Sequence, residues 1–507
     1  MVCVTGRKAR AALLVAVMLV VMWNMPATRS DAGGDRAMTR TLSGSLPYDL
    51  YGLWEFASGA NLSPPVAANG MLYVGDAQGT MYALDAQSGE LNWSFQAHGR
   101  IRHAAAVTMG TVYFASGDLV SGAIYALNAW DGSLRWNYQF TGSAAGAPMV
   151  QHPLVYFGYN SQRGNIMALS VFDGVLEWNW KARHYLSGQL AVREDVVVSG
   201  TTLTEDNESY LYCIDSHTGQ IGWEKTLSGY FSGVSLLPGD QAVVTSGGAS
   251  TGRIYALDTT TGEQLWSPFR VRPFNFWSPP SVHGESIYTL NKGTVYALCL
   301  ETGKEQWNRL LPVHDHDGPM PFSHAPLSCE AHLYITYAYA DSRLSSHLHV
   351  LDRHEGTLLA VHEPGTTLTA APIVCGRNLY LLSQGRCVQA RRGLKITVNG
   401  RAIAPAESGA FIREGITHVT LRGLLDTAGF AVEWDGDTRS VRAHKDQSEI
   451  TIAVDSQKAS LACGKTTFLA LELINDRLMV AVRALVEFMG GEVKWDADVM
   501  SVSCQLP

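Results

Sequence analysis

The stretch of this 507-residue chain richest in reactive side chains is His314-Asp315-His316-Asp317, with His324 close behind. Imidazoles and carboxylates are the donor types that hold Zn²⁺ or a similar ion. A His-x-His without a second pair at matched spacing is also what a solvated loop looks like. The four residues therefore stand as a weak metal-ligand set. Asp85, Asp215, Asp258 and Asp352 are candidate acids or bases. Each sits where a strand enters a tight turn, a place where a carboxylate ordinarily bonds backbone amides, so structural duty is the expectation. No GxSxG, HExxH or phosphate loop stands in a fitting context. Of eight cysteines, Cys3 lies in the N-terminal signal segment, ahead of its apolar run, and the remaining odd number at irregular spacing is neither a disulfide framework nor a metal signature. Cys213 and Cys299 read as packed thiols. Cys463 and Cys504 are a candidate pair in the C-terminal region.

The elements that carry these residues repeat. Tyr82-Ala83-Leu84-Asp85, followed by Gly89 and Trp93, returns as Tyr125 to Asn128 with Gly132 and Trp136, and as Met167 to Ser170 with Gly174 and Trp178. It recurs at Tyr212 with Gly219 and Trp223, at Tyr255 with Gly262 and Trp266, and at Tyr296 with Gly303 and Trp307. A seventh copy, His349 to Asp352 with Gly356, has Ala360 where Trp is expected. The glycines are spaced by 43, 42, 45, 43, 41 and 53 residues. Short alternating strands at a period near 43 are the signature of a β-propeller. Along the strand Tyr and Leu share one face, and the small Ala admits the next sheet on the other. Gly supplies the positive φ of the turn, and Trp wedges between sheets. Burying one such ring is worth about 4–6 kcal/mol gross. Leu53-Trp54-Glu55-Phe56 is a fourth strand without its partners, whereas residues 371–390 supply three strands without a fourth. The predicted fold is an all-β, eight-bladed propeller whose last blade is completed by the N-terminal strand.

Arg7, Lys8 and Arg10 precede the apolar run Ala11 to Trp23, and Ser30-Asp31-Ala32 offers a small-x-small cleavage site. This reads as a secretory signal over residues 1–32. The alternative is an uncleaved anchor, the one route to a membrane that the sequence suggests. A polar linker spans 33–50, the propeller 51–392 and a separate unit 393–507. The net charge of −8 and the lack of a basic stripe argue against nucleic acid.

The repeat resembles the PQQ-type repeat of eight-bladed propellers. That group includes pyrroloquinoline-quinone alcohol dehydrogenases and the non-enzymatic outer-membrane assembly factor BamB. Within 393–507, Thr420 to Leu425 with Gly429 and Trp434-Asp435 recurs as Ala481 to Val486 with Gly490 and Trp495-Asp496. Each half predicts a short helix, a glycine stop and a hairpin, a small α+β unit of two half-repeats. Arg422 and Arg483 are expected to pin a helix end or turn. This segment resembles the copper amine oxidase N-terminal-like stalk domain, and no metal ligand is carried over from that likeness.

The dehydrogenase resemblance implies PQQ, a calcium held by Glu, Asn and Asp, and an adjacent Cys-Cys pair. No Cys-Cys pair occurs, and blades near the minimal length leave no insert to roof a chamber. The expectation is a protein that is not an enzyme and carries neither PQQ nor Ca²⁺. It would be an exported binding or scaffold protein at the cell surface, recognising an envelope or extracellular protein or a cell-wall component. The alternative is a PQQ-dependent quinoprotein oxidoreductase. Candidate binding residues lie on connections between blades: Arg183, His184 and Tyr185; Tyr230 and Phe231; Phe274, Phe276 and Trp277. Trp54, Trp93, Trp136, Trp178, Trp223, Trp266 and Trp307 are assigned to packing.

Overall fold

The computed structural model describes residues 50–506, apart from 203, 205, 248–251, 272–276, 313–321, 339–345, 363–367, 376–377, 384, 394, 404–410, 414–415, 447, 475–476 and 497–500. The signal segment and linker lie outside the described residues.

Eight antiparallel sheets of four consecutive strand positions build the propeller. Blade 1 comprises Val66–Ala68, Met71–Gly75, Thr80–Asp85 and Leu91–Gln96. Blades 2 to 7 follow within residues 106–141, 143–181, 186–228, 230–271, 281–310 and 322–362. In blades 3 and 7 the first strand is split into two pieces. Blade 8 takes Ile373–Cys375, Asn378–Ser383 and Cys387–Gly393, and its fourth strand is Leu50–Ala57. That strand pairs antiparallel with the third, from Leu50 opposite Gly393 to Ala57 opposite Cys387. The ring thus closes with a non-local sheet and leaves no open end blade.

The apolar core is a set of eight seams, each shared by two neighbouring blades. Trp93 and Ala83 of blade 1 pack with Phe114 and Leu127 of blade 2. Tyr380 and Val388 of blade 8 pack with Leu72 and Leu84 of blade 1. The small repeat residue lies directly across from the indole: Ala83 opposite Trp93, Ala126 opposite Trp136, Cys213 opposite Trp223.

Each tryptophan docks on the turn of the following blade. The Trp93 indole lies on Gly132, Trp136 on Gly174, Trp178 on Gly219, and so on to Trp307 on Gly356. A Cβ at Gly174 would stand 2.6 Å from the Trp136 ring, and φ there is +73°. Only glycine meets both demands. The Nε1 groups of Trp93, Trp136, Trp178, Trp223 and Trp266 donate to the carbonyls of Ala129, Val171, Ser216, Thr259 and Leu300, at 2.7–3.0 Å. Across the closure Trp54 still lies on Gly89. There, Tyr380 and Asn378 occupy the Ala86 carbonyl at 2.6 and 3.1 Å, and the Trp54 Nε1 has no partner.

This geometry accounts for Ala360. The third and fourth strands of blade 8 come from opposite ends of the chain, so no turn joins them. A tryptophan in blade 7 would have no glycine turn to dock on. Val350, larger than the usual Ala, faces Ala360 and restores volume.

Residues 395–506 form the second unit. Its helices are α1 (Leu421–Thr427) and α2 (Val482–Phe488). Each ends at a positive-φ glycine, Gly429 at +89° and Gly490 at +83°. Thr420 caps α1 by accepting from the Gly423 amide at 3.2 Å. Hairpins then follow at Ala431–Asp435 and Glu492–Asp496. Leu424, Leu425, Leu485 and Val486 enter one core with strand residues such as Ile452 and Val502. Arg483 does not pin a helix end: exposed, it pairs along its own helix with Glu487 at 3.2 Å. Arg422 is exposed on α1.

Candidate functional site

Antiparallel blades have two ends. One carries the turns between first and second and between third and fourth strands. The other carries the second-to-third turns and the blade-to-blade connections, where the sequence places its candidates. This second end is the rim.

Arg183, His184 and Tyr185 come together there, between blades 3 and 4. The Arg183 guanidinium pairs with Glu224 at 3.2 Å and lies 5.7 Å over the Tyr210 ring. His184 stacks on the same ring, 5.4 Å between centroids and 5° from parallel. The Arg183 amide donates to Tyr212, whose phenol burial pushes up to about 12. The His184 carbonyl accepts from the Gly164 amide at 3.1 Å, tying the connection to the neighbouring turn. Tyr185 is exposed. The group offers a cation, an imidazole face and a phenol on a braced backbone, which suits recognition through hydrogen bonds and stacking.

Two expected binding residues are corrected. Phe231 is 3% exposed and lies directly against Gly200, inside the seam of blades 4 and 5. Trp277 is also 3% exposed and packs edge-on with Tyr296 at 5.3 Å. Phe231 turns inward at the start of the first strand of blade 5, and Trp277 does so just ahead of the first strand of blade 6. Tyr230 is half-buried, and burial pushes its phenol up. Phe274 and Phe276 lie outside the described residues, as does the His314–Asp317 cluster. His324 bonds Thr336 at 3.2 Å. Among the described residues no group of three His, Cys, Asp or Glu could hold a metal.

A second rim cluster was not singled out from the sequence. Arg100, Arg102 and His103 line a small cleft with Ser116, Asp118 and Ser143, across blades 1 to 3. His103 is turned inward, its Nε2 3.3 Å from the Ala144 carbonyl, and burial holds its pKa down. Leu119 and Val120 stand exposed on the turn just after Asp118. The signal for this cluster was Arg-x-Arg-His on a blade-to-blade connection, the same kind of segment as Arg183–Tyr185.

The repeat aspartates are caps. Asp85 accepts from the amides of Gln87 and Ser88, Asp215 from His217 and Thr218, and Asp352 from His354 and Glu355. The Ser88 amide above all holds the Asp85 carboxyl below the usual range, and the Thr218 hydroxyl, followed by the Thr218 amide, does so for Asp215. Cys213 is buried, bonds the Thr259 carbonyl at 3.3 Å and is pushed up to about 12 by burial, an inert packed thiol. Cys463 is exposed and Cys504 buried, and both are free thiols, so the candidate pair does not form.

The sequence matches the family described as Outer membrane protein assembly factor BamB over residues 51–181 and 179–318, together just over half of the chain. This chain belongs to that BamB-type, PQQ-like propeller family. The Copper amine oxidase N-terminal domain family matches residues 397–504. No curated protein matches the sequence. Among solved structures, BamB from Moraxella catarrhalis is similar at 18% identity, over 68% of this chain and 97% of its own, with a TM-score of 0.50. The quinohemoprotein alcohol dehydrogenase ADHIIG from Pseudomonas putida HK5 is similar at 14% identity, over 74% and 81%, with a TM-score of 0.56. The computationally designed Ika8 protein is similar at 15% identity, over 69% and 100%, with a TM-score of 0.54. At these identities the shared property is the fold, which is common to a BamB, an oxidoreductase and a designed protein. No helix among the described residues is long and apolar enough to cross a membrane.

A calcium-bound quinone, which the oxidoreductase likeness brings to mind, needs an enclosed carboxylate donor. Among the described residues Asp76 is the one buried carboxylate. It accepts from the amides of Gln78 and Thr80 at 2.9 Å and from the Tyr82 hydroxyl at 3.0 Å. Both of its oxygens are engaged by the turn and strand it braces, so Asp76 does not stand open to an ion.

Proposed function

We propose that this chain is an exported, non-catalytic binding or scaffold propeller of the cell envelope, recognising a protein or ligand through its rim. The observation that carries the reading is the commitment of its polar repeat residues. The capping aspartates and Asp76 accept from the amides and hydroxyls of their own turns and strands. On the rim connections, Arg183, His184 and Tyr185, and also Arg100 and Arg102, stand exposed outside the packing repeat. Placement at the envelope follows the N-terminal signal pattern and the family's name. The stalk-like second unit fits a spacer or tether.

Two measurements test this. Adding PQQ and Ca²⁺ to purified protein should give no stoichiometric quinone band and no dye reduction; a band with turnover would establish the oxidoreductase reading instead. Envelope extract passed over the full chain should yield a retained component. That component should be lost from an Arg183→Ala/Tyr185→Ala variant of unchanged Tm. Equal retention by the variant would remove the rim from the proposal.

A further inference from the structure

The opposite end of the propeller carries a feature that the fold does not use. In the turn between third and fourth strands, the third position is Gln87, Trp130, Phe172, His217, Thr260, Glu301 and His354 in blades 1 to 7. Five of these are polar. The two adjacent aromatics, Trp130 and Phe172, are 68% and 67% exposed. Rings this open contribute little burial to folding. Met109, in the neighbouring turn of blade 2, is 62% exposed and holds φ at +47°, a conformation that disfavours a bulky side chain. The Trp130 indole lies beside Gly110, next to Met109. Phe172 stands edge-on to His152, 5.2 Å between centroids, and Val175 on the same turn is exposed.

These rings sit on turns that are hydrogen-bonded to the preceding blade. The carbonyl just before Trp130, that of Ala129, accepts from Trp93 Nε1 at 3.0 Å and Tyr73 at 3.2 Å. The carbonyl just before Phe172, that of Val171, accepts from Trp136 Nε1 at 3.0 Å. The platform is ordered in advance, so a partner that lands on it meets little ordering cost.

The charge around it is mostly negative. Each of the seven turns between third and fourth strands carries at least one carboxylate, and the cations within those turns are Lys304 and Arg353, far round the ring. Asp131 and Asp173 directly follow the two rings, and Glu194 and Asp195 form the next turn along. Two cations lie close and are engaged: Arg135 donates to the Gly110 carbonyl at 3.2 Å, and Arg193 pairs with Glu194 at 3.5 Å. An apolar island with an acidic margin attracts cationic chains and repels anionic lipid and nucleic acid.

We infer that the turn face of blades 2 and 3 docks a cationic polypeptide segment with aromatic or aliphatic anchors. Trp130, Met109 and Phe172 receive the anchors, and the surrounding carboxylates receive its Lys and Arg. The inference extends the binding reading to the face opposite the rim.

The test is a random-peptide phage library panned on the full chain. Enriched peptides should be Lys/Arg-rich with aromatic or aliphatic residues, and should bind more weakly as salt rises. They should bind a W130A/F172A variant of unchanged Tm about tenfold or more weakly. Enrichment of acidic or neutral peptides, no enrichment, or equal binding by W130A/F172A would overturn the inference. Loss of binding in the Arg183→Ala/Tyr185→Ala variant instead would overturn it while leaving the rim reading standing.

Discussion

Gly174→Ala, set against Gly239→Ala, isolates the docking of one blade on the next. Both glycines have nearly the same positive φ, +73° and +76°. An alanine at either position carries the left-handed penalty of about 1–2 kcal/mol. At Gly239 that is the whole effect, because an added Cβ meets nothing within 4 Å. At Gly174 the Cβ would stand 2.6 Å from the Trp136 ring, in a seam with no slack. Forcing the indole aside adds an overpacking cost of about 1–3 kcal/mol. Losing its 3.0 Å bond to the Val171 carbonyl adds about 1 kcal/mol. The expected losses are therefore about 1–2 kcal/mol for Gly239→Ala and about 3–6 kcal/mol for Gly174→Ala. Urea unfolding followed by far-UV circular dichroism reads both. Equal midpoints for the two variants would refute the claim that the tryptophans lock the ring.

Other consequences can be measured in the same way. Deleting residues through Phe56 removes the fourth strand of blade 8 and should lower Tm far more than deleting 393–507, because only the first cut opens the ring; equal losses would argue against closure by that strand. Ala360→Trp should destabilise by about 1–3 kcal/mol, since the indole has no turn to dock on and meets Val350, and V350A/A360W should recover part of the loss; a rise in Tm for Ala360→Trp would contradict the explanation of the missing tryptophan. His349 is buried at the seam of blades 6 and 7, where burial first and the neighbouring His347 second lower its pKa to about 4. The unfolded chain, with an ordinary value near 6.5, binds the proton first, so stability falls as pH drops from about 6.5 to about 4, by up to about 3 kcal/mol. His349→Leu should flatten that slope, and an unchanged pH profile would show that the imidazole does not titrate with unfolding. A maleimide probe should label Cys463 rapidly in the folded protein and Cys213 only after unfolding.

The repeat was legible in the sequence because the turns and wedges are local. A glycine four residues past the capping Asp and a tryptophan four beyond it state their geometry within one hairpin. A lone strand at the start of the repeat array and three strands lacking a fourth at its end were enough to predict closure. The two half-repeats of the second unit were readable for the same reason: a helix, a glycine stop and a hairpin each lie within a short span. What needed the tertiary structure was everything set by the neighbouring blade. Ala360 looked like a defect in the repeat until the ring showed that its receiving turn does not exist. Phe231 and Trp277 looked like loop aromatics, since only the path of the chain into the seam makes them core. Trp130 and Phe172 sat unremarked inside the repeat, because whether a turn residue faces solvent depends on how the adjacent turns stack. Periodicity reports which way a side chain points within its own sheet. Exposure is decided by the sheet beside it, which lies some forty residues away along the chain, or more than three hundred at the closure.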